Sequence, residues 1–157
     1  MERGNQKADR RERRRNGWKF PTLLKKQLTL GSLFLGVKTV QQSDKPADVQ
    51  IQFSVDHQFE RPLQLNFMSF IYNAARAGNG EINLSTKIEI FDAQGRAIVN
   101  TPMRPLSTKG LDDLARIPLT GAIKQQTSVP GNYLLRVTVN DLAAKTIVVQ
   151  QTVFKIE

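Results

Sequence analysis

The chain has no cysteine. That excludes a disulfide framework, a thiolate nucleophile and any cysteine metal site. It has one histidine, His57. A lone imidazole cannot supply the histidine pairs of most zinc sites, and a catalytic role needs a nucleophile and an orienting acid converging on it. No G-x-S-x-G is present to mark such a nucleophile. Aromatic residues make up only 7%, with a single tryptophan. No apolar run approaches the roughly 20 residues that a bilayer-spanning helix needs.

Acidic residues are scarce as well, 14 against 23 Lys and Arg, for a net charge of +9 over 157 residues. The excess is local. Residues 1–26 hold ten Lys or Arg and three Asp or Glu, so the head carries +7 and everything after it +2. The basicity belongs to a tail rather than to a fold. A segment of that composition cannot offset its ordering entropy, and residues 1–22 read as a disordered basic head. Residues 23–157 read as one domain, long enough to bury a core. A signal peptide fits poorly. LTLGSLFLGV (28–37) has the length of an apolar signal core, but it follows Lys25-Lys26 and a long basic leader, and no small-x-small site comes closely after it.

What the chain does have is two-residue periodicity. After Pro130-Gly131, residues Tyr133, Leu135, Val137 and Val139 alternate with Leu134, Arg136, Thr138 and Asn140. A strand sends successive side chains to opposite faces, so this is a strand with one face buried. A polar break at Asn140-Asp141 leads into a second β-branched run ending at Ile156, an antiparallel pair. Val49, Ile51, Phe53 and Val55 alternate with Gln50, Gln52 and Ser54. Leu28, Leu30, Leu33 and Leu35 flank Gly31-Ser32, a bulge or a close backbone approach. LQLNFMSFIYNA (63–74) is apolar on both sides, as in a central strand or one covered by a neighbouring domain. Residues 82–102 form a hairpin across Asp92-Ala93-Gln94-Gly95. Pro118 within 115–123 marks an edge strand or a bulge. A short helical turn is expected near 110–115. About seven strands with turn signals between them predict an all-β, antiparallel β-sandwich of immunoglobulin or fibronectin-III type. A closed barrel is the alternative.

Few residues suggest chemistry. His57, between Asp56 and Glu60, reads as a solvated turn residue. Asp112-Asp113 reads as a loop helix-cap or a plainly solvated pair, because no calcium-loop spacing surrounds it. Gly78-Asn79-Gly80-Glu81 precedes no helix and is no phosphate loop. No catalytic residue, metal ligand or cofactor is assigned. Pro130, Gly131 and Tyr133 are structural candidates, with the Tyr133 ring buried and its hydroxyl bonded to nearby backbone. Arg10, Arg11, Arg13, Arg14 and Arg15 could bind phosphates in a salt-dependent way, and Trp18 could stack on a base.

Five blocks in order, KKQLTLGSLFLG (25–36), FMSFIYNAA (67–75), LARIPLTG (114–121), PGNYLLRVTVND (130–141) and VVQQTVFKI (148–156), resemble the C-terminal region of von Willebrand factor A-related (VWFA-related) proteins of the acidobacterial type. The adhesion motif D-x-S-x-S of the A domain is absent, so its metal and ligand role does not transfer. The resemblance implies a detached accessory sandwich from the end of an exported, cell-envelope protein. The expected function is a non-enzymatic interaction module whose partner is a protein, either its own larger assembly or a second copy held through an apolar face. The alternative is a nucleic-acid-binding protein using the arginine-rich head.

Overall fold

The structure, a computed structural model, describes residues 27–39, 50–60, 64–124 and 129–157. The arginine-rich head, including Arg10, Arg11, Arg13, Arg14, Arg15 and Trp18, lies outside the described residues, as do Val49 and the loop expected at 41–48. The described residues form eleven strands and no helix. They are β1 (Thr29–Leu30), β2 (Phe34–Thr39), β3 (Gln50–Ser54), β4 (Gln58–Phe59), β5 (Gln64–Tyr72), β6 (Leu84–Phe91), β7 (Ala97–Asn100), β8 (Arg104–Leu106), β9 (Arg116–Lys124), β10 (Gly131–Asp141) and β11 (Thr146–Ile156).

The count of about seven is thus corrected to eleven. The excess comes from interruption. β1 and β2 are one run broken at 31–33, and both pair with β5. β7 and β8 both lie along β6. The two-residue β4 appears where the chain crosses from one sheet to the other. The helical turn expected near 110–115 is also absent. Gly110 takes φ +79°, and residues 107–115 form turns closed by side chains.

The strands make two sheets. The first runs β3–β2–β5–β9, with β1 continuing the line of β2 along β5. The second runs β4–β11–β10–β6, with β7 and β8 beyond β6. All pairings are antiparallel except β4 with β11. β10 and β11 pair without a slip from Gly131↔Ile156 to Asp141↔Thr146. The alternation read from the sequence is the burial seen: Tyr133, Leu135, Val137 and Val139 are buried and the residues between them half-buried or exposed. Between the sheets they meet Leu35, Leu65, Phe67, Ile71, Ile117, Leu119 and Ile123. Burying one such side chain is worth about 1.5–3 kcal/mol, and nineteen buried apolar residues among those described form the core.

Three local features pin the layers. Leu35, Phe67 and Gly121 stand in one row across β2, β5 and β9. The Phe67 ring occupies the space that a side chain at Gly121 would need. Asp141, fully buried at the end of β10, accepts N–H bonds from Ala143 (3.1 Å), Ala144 (3.2 Å) and Ala75 (2.7 Å). Because Ala75 follows β5, this carboxylate ties the second sheet to the first. Ser69 donates to the Gly31 carbonyl at 2.8 Å, while the Gly31 N–H donates to Phe70 O at 2.8 Å, so the break between β1 and β2 is a close backbone approach.

The hairpin after β6 is closed by one side chain. Asp92 accepts from the backbone N–H of Gln94 (3.0 Å) and Arg96 (2.9 Å), and from Arg96 Nε (2.7 Å). The Arg96 backbone bond, more than any other contact, holds the Asp92 carboxyl below its ordinary 3.8. A depressed folded-state pKa stabilises the turn above 3.8 and ceases to do so as pH falls through the lower folded value.

Gly121→Ala is expected to destabilise the domain by about 1–3 kcal/mol in urea denaturation, through overpacking against Phe67. Adding Phe67→Leu should recover part of that loss, a non-additivity expected of residues in contact. Asp141→Ala should cost more, about 3 kcal/mol, since the part-buried N–H groups of Ala75, Ala143 and Ala144 lose their shared acceptor. Acidification below the ordinary aspartate range should lower the protection of the Gln94 and Arg96 amides, measured as the exchange rate relative to the intrinsic rate at the same pH, and Asp92→Ala should abolish that pH-dependent loss of protection.

Candidate interaction site

Strand pairing decides which side chains of the first sheet face away from the core. Directly opposed residues share a face. Leu35 is opposite Phe67 and Ser54, so these three face the core side. Their neighbours therefore face outward. Phe53 lies opposite Gly36, which lies opposite Asn66, which lies opposite Ala122. Phe34 lies opposite Met68, Phe70 opposite Pro118, and Tyr72 opposite Thr29 and Arg116. The apolar side of β3 has turned out, not in. Phe53 is 44% exposed and Phe34 48% exposed. Met68, Phe70 and Tyr72 are half-buried beside them.

The result is an apolar, aromatic outer face with small residues, Gly36 and Ala122, at its floor. Two charges stand on its β9 rim. Arg116 places its guanidinium 4.1 Å from the Phe70 ring centroid, and Lys124 is exposed at the other end of β9. Cation–π placement of this kind screens part of the ring while keeping the cation at the surface. No Asp or Glu occupies an outward position of β1, β2, β5 or β9 among the described residues. Asn66 is buried, takes a hydrogen bond from Gln64 Nε2 at 3.0 Å on its Oδ1, and leaves its Nδ2 donor without a partner among the described residues.

The outer face of the second sheet differs. Its rows are Ser85–Asn140–Ile147, Lys87–Thr138–Val149, Glu89–Arg136–Gln151 and Phe91–Leu134–Val153. Lys87 and Glu89 pair at 2.9 Å, and Arg136 stacks 4.7 Å over Phe91. A shallow depression there is lined by Glu89, Arg136, Thr138, Val149, Gln150 and Gln151. Mixed charge and an open floor make this a solvent-facing surface.

The residues singled out in the sequence do not converge. His57, at φ +54°, is half-buried against β11 rather than freely solvated. Its Nδ1 lies 3.2 Å from Val153 O and 3.2 Å from Thr152 Oγ1. Hydrogen bonds from the Ser54 hydroxyl and the Gln58 N–H hold the neighbouring Asp56 carboxyl below its usual range. Asp113 accepts from the Ala115 N–H at 2.9 Å, and Asp112 is exposed. Asn79 and Glu81 bond to each other within their own turn. Tyr133 is buried, stacks on Phe154 at 5.4 Å between centroids and donates its hydroxyl to Val129 O at 2.6 Å; Pro130 and Gly131 lead into it. No group of three His, Cys, Asp or Glu is placed to hold a metal ion among the described residues.

Two features escaped the sequence. Asp141 looked like a polar break; the nearest sequence cue is an Asp whose carboxylate can reach the amides two and three residues on. The outward turn of Phe53 has no local cue at all.

Tyr133→Phe should lower stability by about 1 kcal/mol, the worth of one hydrogen bond, with strand content unchanged in the far-ultraviolet spectrum. No protein-family model matches the chain, and no curated protein matches it.

Proposed function

We propose that this chain is a non-enzymatic β-sandwich module that docks a protein partner through the outer face of its first sheet. The partner's surface would be apolar, with acidic side chains where it meets Arg116 and Lys124. One observation carries the reading: the pairing of β2 with β3 sets Phe53 on the same outward side as Phe34, Met68, Phe70 and Tyr72. A contiguous apolar patch with a polar rim marks an interaction surface more often than scattered apolar residues do. Aromatic side chains supply large contact area at low entropic cost, and an arginine at the edge supplies a directional anchor. The one-sided charge of the rim favours acidic over basic partners.

The resemblance to the C-terminal region of VWFA-related proteins extends this reading to an immunoglobulin-like accessory domain within a cell-envelope assembly. The second reading, nucleic acid held by Arg10, Arg11, Arg13, Arg14 and Arg15, rests on the composition of the head. Oligonucleotide binding at low salt that disappears on deletion of residues 1–20 would support it.

The anionic aromatic dye anilinonaphthalene sulfonate matches the chemistry of the face and serves as the probe. The wild-type chain should bind it with a fluorescence rise. Phe34→Ser/Phe53→Ser should remove most of that rise with little change in melting temperature, because both side chains are about half exposed. Arg116→Glu should weaken binding several-fold. Dye binding that survives the double substitution would sink the proposal.

A further inference from the structure

Sheet edges are open templates for further pairing, and proteins normally protect them with proline, charge, bulges or very short strands. Two edges here follow that rule. β9 carries Pro118 and ends in Arg116 and Lys124. The far side of the second sheet is broken into β7 and the three-residue β8, with a register shift at Ile90/Phe91 and Pro105 in β8.

β11 is different. It is eleven residues long and paired with β10 throughout, but among the described residues its other edge pairs with a strand only at Lys155 and Ile156, where β4 lies. From Thr146 to Phe154 it contains no charge, no proline and no glycine. Four of those nine residues are Ile or Val. Its outward side chains are bare for their type: Ile147 is 65% exposed, Val149 48% and Val153 60%.

The hydrogen-bonding parity of that edge is fixed. Lys155 N donates to His57 O at 2.9 Å and Glu157 N to Phe59 O at 3.0 Å, so odd-numbered residues aim their backbone groups away from β10. Val153 O follows the same parity and is met by His57 Nδ1 at 3.2 Å. Beyond the reach of His57 and β4, the N–H and C=O groups of Ile147, Val149 and Gln151 remain turned outward; β1 comes near β11, but no strand pairs with these residues on that edge among the described residues.

We propose that two copies of this chain pair antiparallel through this edge, about a two-fold axis at Val149. In that register Val149 faces its own copy, and Ile147 faces the partner's Gln151. Each pair exchanges both N–H···O bonds, which only residues of matching parity can do. The edge is its own complement. Its donors and acceptors repeat under the two-fold, and no charge between Thr146 and Phe154 repels its image. The flanking Lys145 falls opposite the partner's Val153 rather than opposite a lysine. Closed two-fold pairing is also the commonest form of self-association. The second sheets of the two copies then join into one continuous sheet, and the apolar side chains of β11 gain cross-strand neighbours.

The test is sedimentation of the full chain over a concentration series. The wild type should dimerise. Val149→Lys and Val149→Glu each place like charges opposite each other at the axis, and each should weaken dimerisation at least about tenfold. Because Val149 is an exposed outer-face position, both variants should keep the wild-type circular dichroism spectrum. Mixing the two should restore a dimer, now with lysine opposite glutamate. That rescue is specific to a residue on the axis. A wild-type chain that remains monomeric throughout overturns the proposal. So does a dimer that survives both substitutions, a mixture that stays monomeric, or a dimer that Phe34→Ser/Phe53→Ser dissolves instead.

Discussion

The row Leu35–Phe67–Gly121 sets the register of the first sheet. Phe67 fills the volume a side chain would take at Gly121, and Leu35 packs on its other flank. A slip of one residue along β5 would drive the ring into a position that has a side chain and send the inward set outward. Everything else in that sheet inherits this choice. With Phe67 inward, Met68, Phe70 and Tyr72 must face out, Gly36 must lie on the outer floor, and Phe53 must sit above it. The apolar outer face is a consequence of packing one aromatic ring against one glycine.

The second sheet is locked by a different device. The Asp141 carboxylate satisfies two amides of its own turn and one at the end of β5. A buried carboxylate is tolerable only when such bonds replace water. Tyr133 performs a similar task at the opposite end of β10, where its hydroxyl reaches Val129 O and its ring lies on Phe154. Asp92 and Asp113 likewise cap turns. Polar side chains that a sequence survey might collect as reactive groups are thus engaged in holding loops against strands.

The two surfaces singled out differ in physical kind. The outer face of the first sheet offers side-chain area, aromatic and cation-rimmed, which suits a partner of complementary shape. The open edge of β11 offers backbone groups in a fixed order, which suits another strand. They lie on different sheets, so occupation of one leaves the other free.

Strand identity was legible in the chain, because a period of two is a local property. The alternation along 133–139, the Asp92–Gly95 turn and the edge character of Pro118 all correspond to the structure. The central place of β5 was legible too, since it is apolar on both sides. The number of strands was not, because the division of one side of β6 between β7 and β8 depends on pairing with β6 and has no local cue. Nor was the direction of β3 legible. Its alternation shows that Phe53 and Gln52 lie on opposite sides, but which side meets the core depends on pairing with Gly36, a residue distant in sequence. The bridge from Asp141 to Ala75 is long-range in the same way. The chain by itself determined an all-β body with a basic leader, since strand periodicity and charge are written residue by residue. Only the tertiary structure decided which apolar side is left facing outward and which edge stays open, since both follow from contacts between segments far apart along the chain.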